Sequence, residues 1–338
     1  MFNLRFKMKV INKFIYVVAL TVNCFVCHAV NDAIESKTIK NTQSAFSKTQ
    51  VKQTIEEIIA VLNSEYIYPE KVEEMVNELR RINRLPAIQY INNRTVFMKE
   101  VGELLRRKSL DGYIELSPVE RKLNIGRNLE YQYQQQKSNF AFEEARVLEG
   151  DIGYLKINHF FQNRNAELVA EKALNLLKGT KAMIIDLREA SEGSMEFAQY
   201  LMSHFIEPRA LLCEMMYQRQ EKQHDMWSIS DIGHENFKRG YPIFILTSSF
   251  VTSAAEFFSY TLQHLNKAVI VGEQTMGVAS WSQEIRVNDW LMIKLPVAIP
   301  VNPITKSNWE NEGVIPDNKT DAKSSFALAY KLAKASIH

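Results

Sequence analysis

Cysteine is scarce in this chain of 338 residues, which carries only three, at positions 24, 27 and 213. That excludes a disulfide-built scaffold and a cysteine-built metal site. Net charge is scarce too: 41 basic residues face 39 acidic ones, a formal balance of +2. Nothing in that balance suggests nucleic acid as a partner. The apolar run at residues 14–27 is shorter than the roughly 20 residues a membrane span needs, so stable membrane insertion is not expected. No self-similarity at a period of about 20–50 residues points to a solenoid or propeller.

What is present begins with an address. Arg5, Lys7, Lys9 and Lys13 precede the apolar run, and Cys27-His28-Ala29 ends in a small residue suited to signal-peptidase cleavage. Residues 1–29 are therefore expected to be a signal peptide, and the protein to be exported, periplasmic or secreted. Cleavage would remove four basic residues and no acidic one, leaving 37 against 39, a balance of −2, with Cys213 as the sole thiol. Residues 30–50, rich in Asn, Ser, Thr, Lys and Gln, read as a disordered leader.

Residues 51–118 read as a small helical domain. Ile55, Ile58, Ile59 and Leu62, then Val72, Met75, Val76 and Leu79, then Phe97, Val101, Leu104 and Leu105 recur at helical spacing. Residues 119–338 alternate buried-type strands with amphipathic helices, which implies an α/β core. The clearest unit runs from Tyr241 to Gly277. Ile243 to Leu246 is a short apolar run of the kind buried on both faces of a sheet. A polar turn follows, then Phe257, Phe258, Thr261, Leu262 and Leu265 at the helical period, then a second apolar strand from Ala268. Ser253 stands where the turn meets the helix. A hydroxyl there lies close to unpaired amides and the positive end of the helix dipole, which suits a nucleophile or, more plainly, a helix cap.

Thr252-Ser253-Ala254-Ala255-Glu256, followed by Lys267-Ala-Val-Ile-Val-Gly-Glu-Gln-Thr-Met-Gly277, resembles the nucleophile segment of the tail-specific (C-terminal-processing) serine peptidases. The branch it looks like includes interphotoreceptor retinoid-binding protein and the tricorn core. Asp151 to Ile157, Asp186-Leu187-Arg188, Asn302 to Glu310 and Glu310-Asn-Glu-Gly-Val-Ile-Pro-Asp317 match further segments of that family. The resemblance implies a crotonase-like spiral core with a small N-terminal three-helix domain. It also implies a serine-type peptidase, with Ser253 as nucleophile, the amides of Ala254 and Gly193 as oxyanion donors, and Glu310 as a member of the catalytic set. About 33 residues between Leu116 and Gly150 are too few for the inserted peptide-binding domain of many relatives.

The departures from the family fall at the site. Tyr113 occupies the position of the family histidine, Ala190 that of an asparagine, and Glu192 that of the first glycine in the oxyanion loop. Position 278, where the lysine base of the tail-specific proteases stands, is Val278. His159 and Glu256 are conceivable substitute bases; His204 and His264 read as core or interface residues, and His224 and His234 as loop residues. The resemblance thus leaves two expectations: peptide-bond hydrolysis through Ser253, impaired for want of a base, or a pseudo-peptidase that binds a peptide or an apolar small molecule. The expected partner is a peptide or protein. No cofactor or metal is expected, and a homo-oligomer is open.

Overall fold

Chain segments that bury apolar residues on both faces make parallel sheets, and those that alternate make sheets with one wet face. Both kinds occur here. The computed structural model describes residues 46–86, 91–119, 125–218, 224–232, 237 and 240–337, with side chains from 130 onward in the helix at 125–137. The expected signal peptide, nearly all of the expected leader and His234 lie outside the described residues. The chain divides into two units, one of residues up to Ala60 and Glu73–Gly112, the other of Val61–Val72 and Tyr113–His338.

The first unit is helical. Helices α1 (Lys48–Glu65), α2 (Pro69–Arg84) and α3 (Arg94–Ser109) stand where the apolar periodicity puts them. Val51, Ile55, Ile58 and Ile59 of α1, Met75 and Leu79 of α2, and Phe97, Val101 and Leu105 of α3 are buried. Phe46 is buried as well, with its ring edge-on to Phe97 at 5.3 Å. The end of the segment expected as leader is therefore part of this unit. Asn93 starts α3 in the ordinary way, with extended backbone and a side chain accepting from the amides of Thr95 and Val96.

The second unit holds two sheets. Strand β1 (Glu115–Pro118) is in its antiparallel sheet, so this end of the stretch read as helical domain belongs with the core. That sheet runs β1, β10 (Leu291–Val301), β5 (Leu211–Tyr217) and β6 (His224–Trp227), with β9 (Trp281–Arg286) also on β10. The six-stranded sheet runs β11 (Asn318–Lys319), β8 (Val269–Gly272), β7 (Ile243–Thr247), β4 (Ala182–Asp186), β3 (Ile152–Ile157) and β2 (Phe142–Leu148). Every pairing in it is parallel except β2 with β3. β4 and β7 are buried along their whole length, which is why both read as unbroken apolar runs.

Among the described residues, five α-helices accompany the sheets: α4 (Ile125–Lys137), α5 (Arg164–Leu177), α6 (Met195–Met202), α7 (Ala254–His264) and α8 (Ala322–Ser336). Ala329 and Ala333 of α8 pack on Ile184, Leu246 and Val271. Asp186, wholly buried, accepts hydrogen bonds from Tyr154 Oη at 2.7 Å and from Arg188 Nη2 at 2.6 Å, while Arg188 Nη1 donates to the Ala322 carbonyl at 2.7 Å. Burial alone would raise the Asp186 carboxyl, but these donors outweigh it and hold it below the usual range. The anticipated α/β core with an N-terminal three-helix region is what the chain forms. Helix α4 takes up the Gln-rich segment at 132–136, which apolar periodicity does not announce because residues 130–137 are polar but for two exposed tyrosines.

Candidate active site

Parallel strands deliver their following loops to one edge, the carboxyl edge, where ligands of α/β sheets are bound. In this chain the loops after β3, β4, β7 and β8 meet there. The Leu187 amide donates to the Leu246 carbonyl at 3.1 Å, and Ser248 Oγ donates to the Arg188 carbonyl at 2.5 Å. The Thr252 amide reaches the Ala190 carbonyl at 3.4 Å, and the Glu192 amide donates to Thr252 Oγ1 at 3.0 Å. The loop carrying Gly193 is thus strapped to the residue before Ser253. Thr252 is the neighbour whose hydroxyl is committed to that loop.

Ser253 is half-buried at the head of α7 with φ 57° and ψ −121°. Four other helix caps, Asn93, Asn163, Ser194 and Asp321, have the extended backbone typical of the position. Ser253 does not. A non-glycine residue held there stores about 1–3 kcal/mol of strain, and such strain clusters at functional sites. A serine on a sharp, strained strand-to-helix turn is also how hydrolases present a nucleophilic oxygen. Ala254, the first helical residue, is buried, and its amide is one of those a helix N-terminus leaves without an intrahelical acceptor.

Gly193 sits across from this turn with φ 123°. It forms a parallel bridge with Phe160, in which the Ser194 amide donates to the Phe160 carbonyl at 2.8 Å. In that register the Gly193 amide points away from Phe160. A Cβ at 193 would lie 2.7 Å from Phe160 Cβ and 2.8 Å from its backbone nitrogen and oxygen, so only glycine fits. Ala190, at the family asparagine position, is wholly buried. Glu192, at the glycine position, takes φ 57° with its side chain exposed.

Glu256 is wholly buried one turn into α7 and accepts four hydrogen bonds. Oε2 takes the amides of Ser253 and Val278, both at 2.9 Å; Oε1 takes Thr275 Oγ1 at 2.5 Å and the Gly277 amide at 2.7 Å. Burial pushes its pKa up against the pull of these donors. With every oxygen engaged, it is not placed to take a proton from Ser253. Glu310 does parallel work: its Oε2 accepts from the amides of Ala279 at 2.7 Å and Ser280 at 2.9 Å. Four successive amides, 277 to 280, are thus divided between two carboxylates. Gly277 has φ 89° and touches the 311–313 backbone, while Trp309 Nε1 donates to the Val278 carbonyl at 2.9 Å.

His159, the other conceivable base, follows β3, two strands from β7, a span of roughly 10 Å. Its Nδ1 lies 2.9 Å from the Ser191 carbonyl, which can only accept, so Nδ1 carries the hydrogen. Burial lowers its pKa, opposed by that bond and by Glu192. Tyr113 is 38% exposed, in the turn just ahead of β1. Among the described residues, no imidazole, amine or carboxylate is hydrogen-bonded to Ser253 Oγ. Among the same residues, no cluster of His, Cys, Asp and Glu is arranged to hold a metal ion, and no helix is long and apolar enough to cross a membrane. Sequence reasoning undervalued Glu256 and Thr275; the Ser-x-x-Glu spacing of a capping box was the signal that could have found the first.

The profile of peptidase family S41 matches residues 151–320, half of the chain, including β3, β4, β7 and β8 and the loops that follow them. The chain belongs to peptidase family S41. It is 21% identical over 238 residues to a carboxyl-terminal-processing protease of Picosynechococcus sp., covering 70% of this chain and 55% of that protein. It is 23% identical over 176 residues to the carboxy-terminal processing protease CtpB of Bacillus subtilis, covering 51% of this chain and 35% of that protein. The chain therefore spans less than two thirds of the length of these S41 relatives. The fold is shared with the crystal structure of a putative peptidase from Parabacteroides merdae, at a TM-score of 0.60 and 15% identity over 84% of this chain and 96% of that one.

Proposed function

We propose that this chain is a slow serine peptidase in which Ser253 attacks the peptide carbonyl and the amides of Ala254 and Gly193 stabilise the oxyanion. The observation that carries this reading is the strained backbone at Ser253, held in a conformation that a simple cap does not need. The Ser253 oxygen adds to the carbonyl carbon as its proton passes to solvent water, negative charge develops on the carbonyl oxygen, and donors there lower the barrier. The tetrahedral intermediate then expels the amine, which takes up a proton, and water releases the acyl group. Glu310 supports the site by fixing the loop segment at 279–280, and Tyr113 stands where relatives of this branch have a histidine.

Turnover is slow because the hydroxyl proton has no attached acceptor. General-base assistance is worth about 10²–10⁴ in rate, and Val278 stands where a lysine would supply it. The substrate is a peptide or protein met outside the cytoplasm, as the basic-then-apolar segment at 5–27 supports. A fluorophosphonate probe tests the chemistry: the serine oxygen bonds to phosphorus and fluoride leaves. Wild type is expected to label and Ser253→Ala not to. Equal labelling of the two proteins, or none of wild type, would sink the proposal.

A second reading is supported by Val278 and by the full occupancy of Glu256. Here the chain is a pseudo-peptidase whose groove binds a peptide or an apolar small molecule without cleaving it. Saturable peptide binding by a protein that neither labels nor cleaves is its signature.

A further inference from the structure

We propose that Glu256 is a positioning residue, which holds Ser253 in its strained conformation and locks the nucleophile turn to the loop after β8. The inference rests on the reading of Ser253 as nucleophile and adds how that residue is aimed. The Glu256 carboxylate divides its donors evenly: Oε2 binds the amides of Ser253 and Val278, and Oε1 binds Thr275 Oγ1 and the Gly277 amide. An ordinary capping box would use only the first of these four bonds. The other three come from a segment 19 to 22 residues further along the chain. Two loops that follow different strands are therefore referred to one buried group.

That arrangement has a chemical consequence. The Ser253 amide is drawn toward Oε2, which fixes φ at 253 and with it the direction of the hydroxyl. The same oxygen fixes Val278, so the side chain at 278 and the hydroxyl at 253 keep a constant relation. Thr275 extends the lock, since its hydroxyl also accepts from the Val314 amide at 2.6 Å. The four donors are all N–H or O–H groups pointing inward, so a neutral amide cannot replace the carboxylate. One oxygen of a glutamine can serve one pair of donors, and its NH₂ then faces the other pair.

The test uses the full chain with Glu256→Gln and Thr275→Val. Labelling of Ser253 by a fluorophosphonate is followed at several probe concentrations, which separates the maximal rate from half-saturation. Amide hydrogen exchange at 253, 277 and 278 is followed in parallel. The expected result for Glu256→Gln is a maximal labelling rate lower by about tenfold or more, with half-saturation within about twofold of wild type. Exchange at the three amides is expected to rise by about tenfold or more, with that of β4 unchanged. Glu256→Asp is expected to recover part of the labelling rate, since charge is kept and only reach is lost. An unchanged labelling rate, or weaker half-saturation at an unchanged maximal rate, overturns the proposal. If Glu256→Gln does not fold, Thr275→Val decides: labelling about two- to fivefold slower is expected for one lost donor, and wild-type labelling overturns it. If wild type itself does not label, the nucleophile reading fails, and the exchange arm alone decides whether Glu256 holds the turn.

Discussion

Two serines begin helices after neighbouring parallel strands, Ser194 after β4 and Ser253 after β7, and each has a glutamate in the first turn of its helix. Ser194 has φ −91° and ψ 130°, accepts from the Phe197 amide at 3.2 Å, and donates to Glu196 at 2.5 Å. Ser253 has φ 57° and ψ −121°, and Glu256 takes its amide. One serine serves its helix. At the other, the helix and the loop after β8 serve the serine, by holding its backbone where isolated chain would not stay. The lesson is that residue type at a helix start does not separate a cap from a candidate nucleophile, and backbone conformation does.

That contrast can be broken most sharply by deleting each hydroxyl. Ser253→Ala is expected to lower fluorophosphonate labelling by about 10³-fold or more. Ser194→Ala should leave labelling near wild type and instead lower unfolding stability by about 1 kcal/mol, measured by urea titration. Next in size is Gly193→Ala, whose Cβ would collide with Phe160. A loss of about 10² in labelling, together with a destabilisation of about 2–4 kcal/mol, is expected in parallel labelling and melting experiments.

A gain would sharpen the comparison further. Val278 and Ser253 share one oxygen of Glu256, so a long side chain at 278 starts close to the hydroxyl. Val278→Lys is expected to raise the labelling rate by about 10- to 100-fold, with the increase following deprotonation of the new amine as pH rises. A rate that stays at the wild-type level across pH would show that 278 does not face Ser253. The smallest effect concerns the anchor of the β4 loop. Asp186 is held below its unfolded pKa, so its contribution to stability is complete above about pH 4 and is lost as pH falls through the folded value. Melting temperature should change little on this account between pH 7 and 5. It should then fall more steeply in wild type than in Asp186→Asn.

Much of this was legible along the chain because it rests on short-range pattern. The helices of the first unit and the buried runs of β4 and β7 follow from apolar periodicity, and Ser253, Gly193 and Glu310 from their motifs. Helix α4 was hidden, because its residues 130–137 are almost all exposed and polar and show no apolar stripe. Glu256 was singled out as a substitute base, and its four bonds argue against that use. Three of its donors come from around residue 275, and nothing local announces them.

The amino-acid sequence by itself determined which segments become buried strands, which become helices, and which hydroxyl begins α7, since these depend on side-chain character and spacing. Only the tertiary structure decided that Ser253 is strained and that two carboxylates share the amides of 277–280. It also decided that Glu256 is engaged on both oxygens and that His159 stands two strands away from β7. Those facts depend on where distant loops meet, and the parallel sheet sets that by bringing its carboxyl ends to one edge.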